Sequence, residues 1–277
     1  MRNIYLCLFL GIVFGACRQD DSTFVNSNTP QESGDNRKCN TVRLATADNS
    51  QVATLKYELD SILTEVVSIE DGEVITAWYL HIENPRQFIF MDGSKTFENA
   101  KTRIYLNEDG SIAKEIAVAL NPDGQTFTEI PDEANVYTYN SKKQLVKIDI
   151  GYDDDGEESE AIFTYDEKNR IQRLVIKGPD GTDYAIYDNF SYDPHAKNDN
   201  FLTFDFMESI SGRFIPSLRN VYIKSYRMQI PEAPMFNTTF MFDYKFEQDK
   251  LSEITLKVTL FGLPAEEVKL GVTLDCK

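Results

Sequence analysis

Histidine and tryptophan are almost missing from this chain: 277 residues hold two histidines, His81 and His195, and a single tryptophan, Trp78. A zinc site or a histidine-dependent triad would have to rest on one of those two imidazoles. His81 falls in an alternating stretch and His195 follows Asp193-Pro194 in a loop, so each reads as a structural histidine rather than a catalytic base. The patterns His-Glu-x-x-His, Gly-x-Ser-x-Gly and the phosphate loop do not occur. Nothing in the sequence asks for a cofactor, and no residue is assigned as catalytic. Positive charge is also scarce, with 28 Lys and Arg against 45 Asp and Glu, a net charge of −17. Such a surface repels nucleic acid, which is excluded as a partner. No apolar run reaches the ~20 residues that a spanning helix needs.

What is present begins at the N-terminus. Residues 1–16 carry one charge, Arg2, then an apolar stretch from Ile4 to Phe14, then Gly15-Ala16. The stretch is too short for a membrane span and has the layout of a cleaved leader. The residue after the small pair is Cys17. The segment resembles a bacterial lipoprotein signal, with an ordinary secretory leader as the alternative. The resemblance implies that Cys17 is acylated (a palmitate-type anchor), becomes the first residue, and holds the chain on outer-membrane lipid. Three acyl chains at about 0.8 kcal/mol per buried methylene make such an anchor permanent. Gln19, Asp20 and Asp21 resemble the export signal of Bacteroidetes surface lipoproteins, which implies an outer-membrane protein exposed on the cell surface. Of four cysteines, Cys7 leaves with the leader and Cys17 takes lipid. Cys39 and Cys276 remain, one at each end of the folded region, in an oxidising compartment. A disulfide between them is the arithmetic expectation, and two thiols the alternative.

Residues 17–40 form a polar, flexible tether, rich in Asp, Asn, Ser, Thr and Gln, with an end-to-end distance of roughly 25–30 Å. Residues 41–277 read as one β domain. The chain has 18 Phe and 14 Tyr, alternation of period two recurs, and Asn107-Glu108-Asp109-Gly110, Asn121-Pro122-Asp123-Gly124 and Gly178-Pro179-Asp180-Gly181 are hairpin turns. The best helix candidate is 52–69, with apolar residues at 52, 55, 59, 62, 63 and 66, although its Val and Thr content makes strand an equal reading.

A repeat runs through about residues 103–258. Tyr137-Thr138-Tyr139, Phe163-Thr164-Tyr165, Phe190-Ser191-Tyr192 and Phe242-Asp243-Tyr244 share the form aromatic-x-Tyr. A polar turn and an apolar triplet follow, as in Leu145/Ile148/Ile150, Ile171/Leu174/Ile176 and Leu251/Ile254/Leu256. In each triplet the last two residues share parity and the first does not, which suggests a bulge at the start of the return strand or a first residue still in the turn. Each unit is one hairpin, and hairpins must pair edge to edge to be stable. Tyr165-Asp166 and Tyr192-Asp193 before a turn and a Leu-x-x-Ile-x-Ile strand look like the tyrosine-aspartate hairpins of Rhs-type proteins. Together with the leader, the chain is similar to a family of uncharacterised Bacteroidetes surface lipoproteins with Rhs-like repeats. That resemblance implies a fold and no activity.

The expected fold is therefore mainly β: an extended, twisted antiparallel sheet of repeated β-hairpins with at most one or two short helices. The expected function is a non-enzymatic binding or structural module at the cell surface, with a glycan or protein ligand. A carrier of apolar ligand on a curved sheet is the second reading, and a carbohydrate-active enzyme the third. An apolar, unfilled concave face would select the carrier, and two carboxyls about 5–9 Å apart in a cleft the enzyme. Trp78 and Tyr79 are candidates for stacking on a sugar ring, against the alternative that they fill the packed face. The acidic run 153–160 invites calcium but lacks EF-hand spacing, and contiguous acids in a hairpin turn read first as a solvated loop. Asp60-Ser61-Ile62 and Asp21-Ser22-Thr23 match a short glycosylation pattern that this composition also produces by chance.

Overall fold

The computed structural model describes residues 39–58, 62–151, 158–193, 223–247, 250–260, 263 and 265–276. Sixteen strands follow one another along the chain: β1 (Cys39–Ala45), β2 (Gln51–Glu58), β3 (Ile62–Glu70), β4 (Glu73–Asn84), β5 (Gln87–Asp92), β6 (Ala100–Leu106), β7 (Ile112–Leu120) and β8 (Phe127–Tyr139). They continue as β9 (Leu145–Ile150), β10 (Ser159–Tyr165), β11 (Ile171–Lys177), β12 (Asp183–Tyr192), β13 (Ile223–Gln229), β14 (Thr238–Glu247), β15 (Lys250–Leu260) and β16 (Glu266–Cys276). Single turns of 3-10 helix at Phe97–Asn99 and Pro234–Phe236 are the helical elements among the described residues.

Every strand pairs antiparallel with its sequence neighbours, and β1 pairs with β16, so the sheet closes into a barrel. The expected extended sheet is corrected on this point. A sheet of this many strands left open would present two rows of unpaired backbone groups, and twist brings its ends round until closure removes both edges. The helix reading of residues 52–69 also falls: 52–58 lie in β2 and 62–69 in β3, paired from Gln51↔Glu70 to Glu58↔Ile62. Ala53, Leu55 and Val66 are buried by the strand period of two.

Turn chemistry sets these hairpins. At residues 107–111, 140–144, 166–170 and 178–182 the first residue's N–H bonds the fifth's carbonyl, and the fourth donates to the first. The fourth residue is left-handed in each: Gly110 (φ 78°), Lys143 (60°), Asn169 (61°) and Gly181 (78°). This is a type I turn closed by a residue with positive φ, a common short hairpin connection. Side-chain oxygens of Asp109, Asn140, Asp166 and Asp180 accept from backbone N–H groups two residues on, bracing the same turns.

The repeat has a physical purpose. Tyr139 pairs with Leu145, Tyr165 with Ile171 and Phe246 with Leu251, and the register shifts by one residue just inside each pair. Of the two readings that the mismatched parity of the triplets leaves open, these shifts select the bulge. The same shift occurs at Leu106↔Ile112 and Tyr57↔Leu63, so the hairpin unit extends beyond the aromatic copies. The last tyrosine of a unit reaches a carbonyl at the start of the preceding strand: Tyr165 to Leu145 (2.6 Å), Tyr192 to Ile171 (2.5 Å) and Tyr244 to Ile223 (2.6 Å). A part-buried hydroxyl thereby satisfies a backbone acceptor next to a bulge. Tyr165→Phe should lower unfolding free energy by about 0.5–1.5 kcal/mol, measured by denaturant titration. No measurable loss would mean that water replaces the hydroxyl there.

Alternation then sorts the two faces. On β14, Phe240 and Phe242 are buried while Met241, Asp243 and Lys245 are exposed. Inward-facing Leu55, Phe88, Leu145, Leu174 and Ile254, from well-separated strands, are at most 1 % exposed. Side chains pack closely around these inward-facing residues. Stacked rings line part of it, with Tyr226 against Phe240 at 4.6 Å and Phe242 parallel to Tyr244 at 6.3 Å. The exterior carries the charge, in cross-strand pairs such as Lys257–Glu267, Lys147–Glu160 and Arg227–Asp188.

Candidate functional site

The outer face of β4 to β8 differs from the rest of the exterior. Alternation along β4 sends Leu80 and Ile82 into the core and leaves Tyr79, His81 and Glu83 outside. Register places Met91 and Ile89 of β5 beside Tyr79 and His81, Arg103 of β6 beside Ile89, and Ile116 of β7 beside Arg103. Ala77, Ile89, Met91, Ile116 and Val118 lie on this outward face and are nevertheless buried. Their cover comes from the connection after β5, residues 93–99, which folds back over the barrel wall. Phe97 stands edge-on to His81 (5.1 Å) and to Phe127 of β8 (5.3 Å). Lys95 on the same strap binds Glu65 of β3 and sits 5.1 Å over the Tyr79 ring. The barrel therefore has a small second core on its outside.

Beside the strap lies a charged cluster. Arg103 donates twice to Glu83 (2.9 and 3.1 Å) and once to Glu129 of β8 (2.9 Å). Tyr105 donates to Glu129, and Lys114 of β7 rides 4.4 Å over the Tyr105 ring. Burial works against the Arg103 charge, but its bonds to Glu83 and Glu129 outweigh burial and hold the guanidinium protonated. The hydrogen bond from Tyr105 leads in drawing Glu129 below the usual carboxylate range, with Arg103 and Lys114 adding to it. Burial and the Glu129 contact push the Tyr105 hydroxyl up. Burial would raise Glu65, yet Lys56 and Lys95 outweigh it and leave that carboxyl low as well. Glu129 and Glu65 are charge-paired and held ionised. General acid catalysis needs a carboxyl kept protonated, the opposite condition. The cluster is suited to recognition, offering planar polar groups and aromatic edges around His81, which is exposed.

Inside the barrel, Glu115 of β7 shares the inward face with Ile104. It is buried, accepting from the Tyr137 hydroxyl (2.8 Å) and from Asn135 (3.2 Å). Nothing in the sequence marks it out, because it is one acid among 45 on an otherwise amphipathic strand.

Trp78 and Tyr79 do not form a joint platform: neighbours in a strand face opposite ways. Trp78 packs against the core, edge-on to Phe90 at 6.4 Å, while Tyr79 stays outside under Lys95. Cys39 and Cys276 are brought opposite each other where β1 meets β16. Cys17, Gln19, Asp20, Asp21 and His195 lie outside the described residues, as do Asp60-Ser61, Asp21-Ser22-Thr23 and most of the acidic run; Glu160 is paired with Lys147 at 2.9 Å. Among the described residues no three His, Cys, Asp or Glu side chains gather as a metal site would require. Sequence reasoning missed Arg103, Glu129 and the strap, since only pairing in register brings them together.

Fold and surface together define a closed, up-and-down, sixteen-stranded β-barrel with an apolar interior and a charged exterior. No family model matches the chain, and no curated protein does. Solved structures do match. It is similar to a porin-like protein from Bacteroides uniformis, at 14% identity and a TM-score of 0.52, over 86% of this chain and 98% of that one. It is similar also to a porin-like protein from Bacteroides vulgatus, at 13% identity and 0.50, over the same shares. At these identities the likeness concerns the fold.

Proposed function

We propose that this chain is a lipid-anchored outer-membrane protein that acts as a non-enzymatic binding or structural module, working through the outside of its barrel. One observation carries the reading: the polarity of the wall is inverted relative to a transmembrane barrel. A barrel in lipid turns an apolar band outward and lines its lumen with polar groups. Here Lys245, Lys257 and Lys269 stand outside on β14 to β16, and each would cost about 2–4 kcal/mol at a bilayer midplane. A pore of this strand number leaves an aqueous channel, whereas this interior is filled. The likeness to porin-like proteins of Bacteroides supports an outer-membrane setting, with the wall beside the membrane rather than in it. Attachment then falls to Cys17 and the tether of residues 17–40, consistent with the resemblance to Bacteroidetes surface lipoproteins with Rhs-like repeats and to their export signal at Gln19, Asp20 and Asp21.

The ligand is a glycan or a protein, met by the outer face of β4 to β8 through Tyr79, His81 and the Glu83–Arg103–Glu129 group. A carrier role has less support, because the concave face is occupied by the protein's own side chains. Membrane fractionation tests the attachment. Wild-type protein should sediment with membranes through a carbonate wash and enter solution only with detergent, while Cys17→Ala should appear in the soluble fraction. A Cys17→Ala protein that stays with washed membranes would sink the reading and favour insertion of the wall itself.

A further inference from the structure

We propose that Cys39 and Cys276 form a disulfide that closes the barrel covalently at its seam, an inference that rests on the chain being exported. Every other pair of neighbouring strands is consecutive in sequence, so the chain itself holds those partners together. β1 and β16 meet without a direct connection, and their backbone pairing closes the ring. The cysteines are the last register partners of this pairing, Cys39↔Cys276.

Their opposition is not what plain counting from the next pair along would produce. Thr41 pairs with Asp275, so an unbroken ladder would set Cys276 against Asn40. A register shift between Cys39 and Thr41 skips Asn40 and brings the cysteine into place. Directly opposed residues of an antiparallel pair have Cα atoms about 4.5–5.5 Å apart, inside the ~4.4–6.8 Å span that a disulfide bridges. The bond forms by exchange with the disulfide of an exported thiol oxidase. One cysteine thiolate attacks an enzyme sulfur to give a mixed disulfide, and the second thiolate displaces the enzyme thiol. Two protons leave the cysteines, and two electrons reduce the oxidase to its dithiol.

The test uses the full chain with its own leader, expressed in a bacterium with an outer membrane and quenched with a thiol-alkylating reagent before lysis. Non-reducing digestion and mass spectrometry should give one peptide pair joining Cys39 to Cys276 and separated by reductant. A chain processed at Cys17 with both thiols alkylated overturns the proposal. A chain that keeps residues 1–16 brings down the export reading instead. The seam is then decided on the purified folded chain in a glutathione redox buffer, where two alkylatable thiols overturn the bond. Reductant should lower the wild-type Tm on the order of 5–10 °C and leave Cys276→Ser and the double serine variant unchanged. A reductant-insensitive wild type would show that no bond closes the ring.

Discussion

Phe240→Ala should cost about 3–5 kcal/mol of unfolding free energy in a denaturant titration, with the urea midpoint falling and the slope unchanged. Phe240 is 2 % exposed. Its ring stacks on Tyr226 at 4.6 Å, and Tyr226 in turn lies 5.6 Å from Phe190 and 6.2 Å from Phe242. Truncation removes the apolar area of one ring and opens a void that the wall cannot close, because its strands are fixed on both sides by backbone bonds. The same substitution on the lining of a water-filled channel would expose a surface already wet, and would cost little. A loss below about 1 kcal/mol would therefore restore a hydrated lumen and, with it, a pore or carrier role.

Arg103→Ala should cost about 2–3 kcal/mol at neutral pH, less than a fully buried pair because Glu83 and Glu129 keep some contact with solvent. It leaves those two carboxylates close together with Lys114 as the nearby cation at 3.9 Å from Glu129. Arg103→Lys should recover only part of the loss, since a point charge cannot reproduce three forked bonds. The pH dependence has a definite sign. In the wild type Glu129 is held below its ordinary value, so its contribution is present above the unfolded carboxylate range and fades as pH falls through the lowered value. The deficit between wild type and variant should thus shrink as pH falls below the ordinary glutamate value of 4.5, as paired denaturation curves would show. A deficit constant with pH would assign Arg103 a packing role only.

The hairpins were legible because their signals are local. A turn such as Asp166 to Arg170 brings its own bracing carboxylate, and the tyrosine at 165, the bulge and Ile171 lie within one short segment. Closure was not legible, because the partners Val42 and Leu274 are separated by nearly the whole chain and carry no mark of one another. The first five strands lack the aromatic-x-Tyr signature, so the repeat alone suggests a shorter, open sheet. The apolar spacing of residues 52–69 fits two periods, and only pairing of β2 with β3 decides between them. The outer site was invisible for a related reason. Ile89 and Met91 sit on the face that alternation assigns to solvent, and a segment with little apolar content apart from Phe97 covers them.

The order of strands around the ring has a consequence for how the chain reaches it. Each hairpin draws on contacts a few tens of residues apart at most, so assembly can zip along the polypeptide at low entropic cost, unit by unit. The meeting of β1 with β16 is the exception, for it must hold together the two ends of the whole domain. That step comes last. Until it is taken, both terminal strands are exposed templates for another copy, and the speed of final closure sets how many molecules mature rather than aggregate.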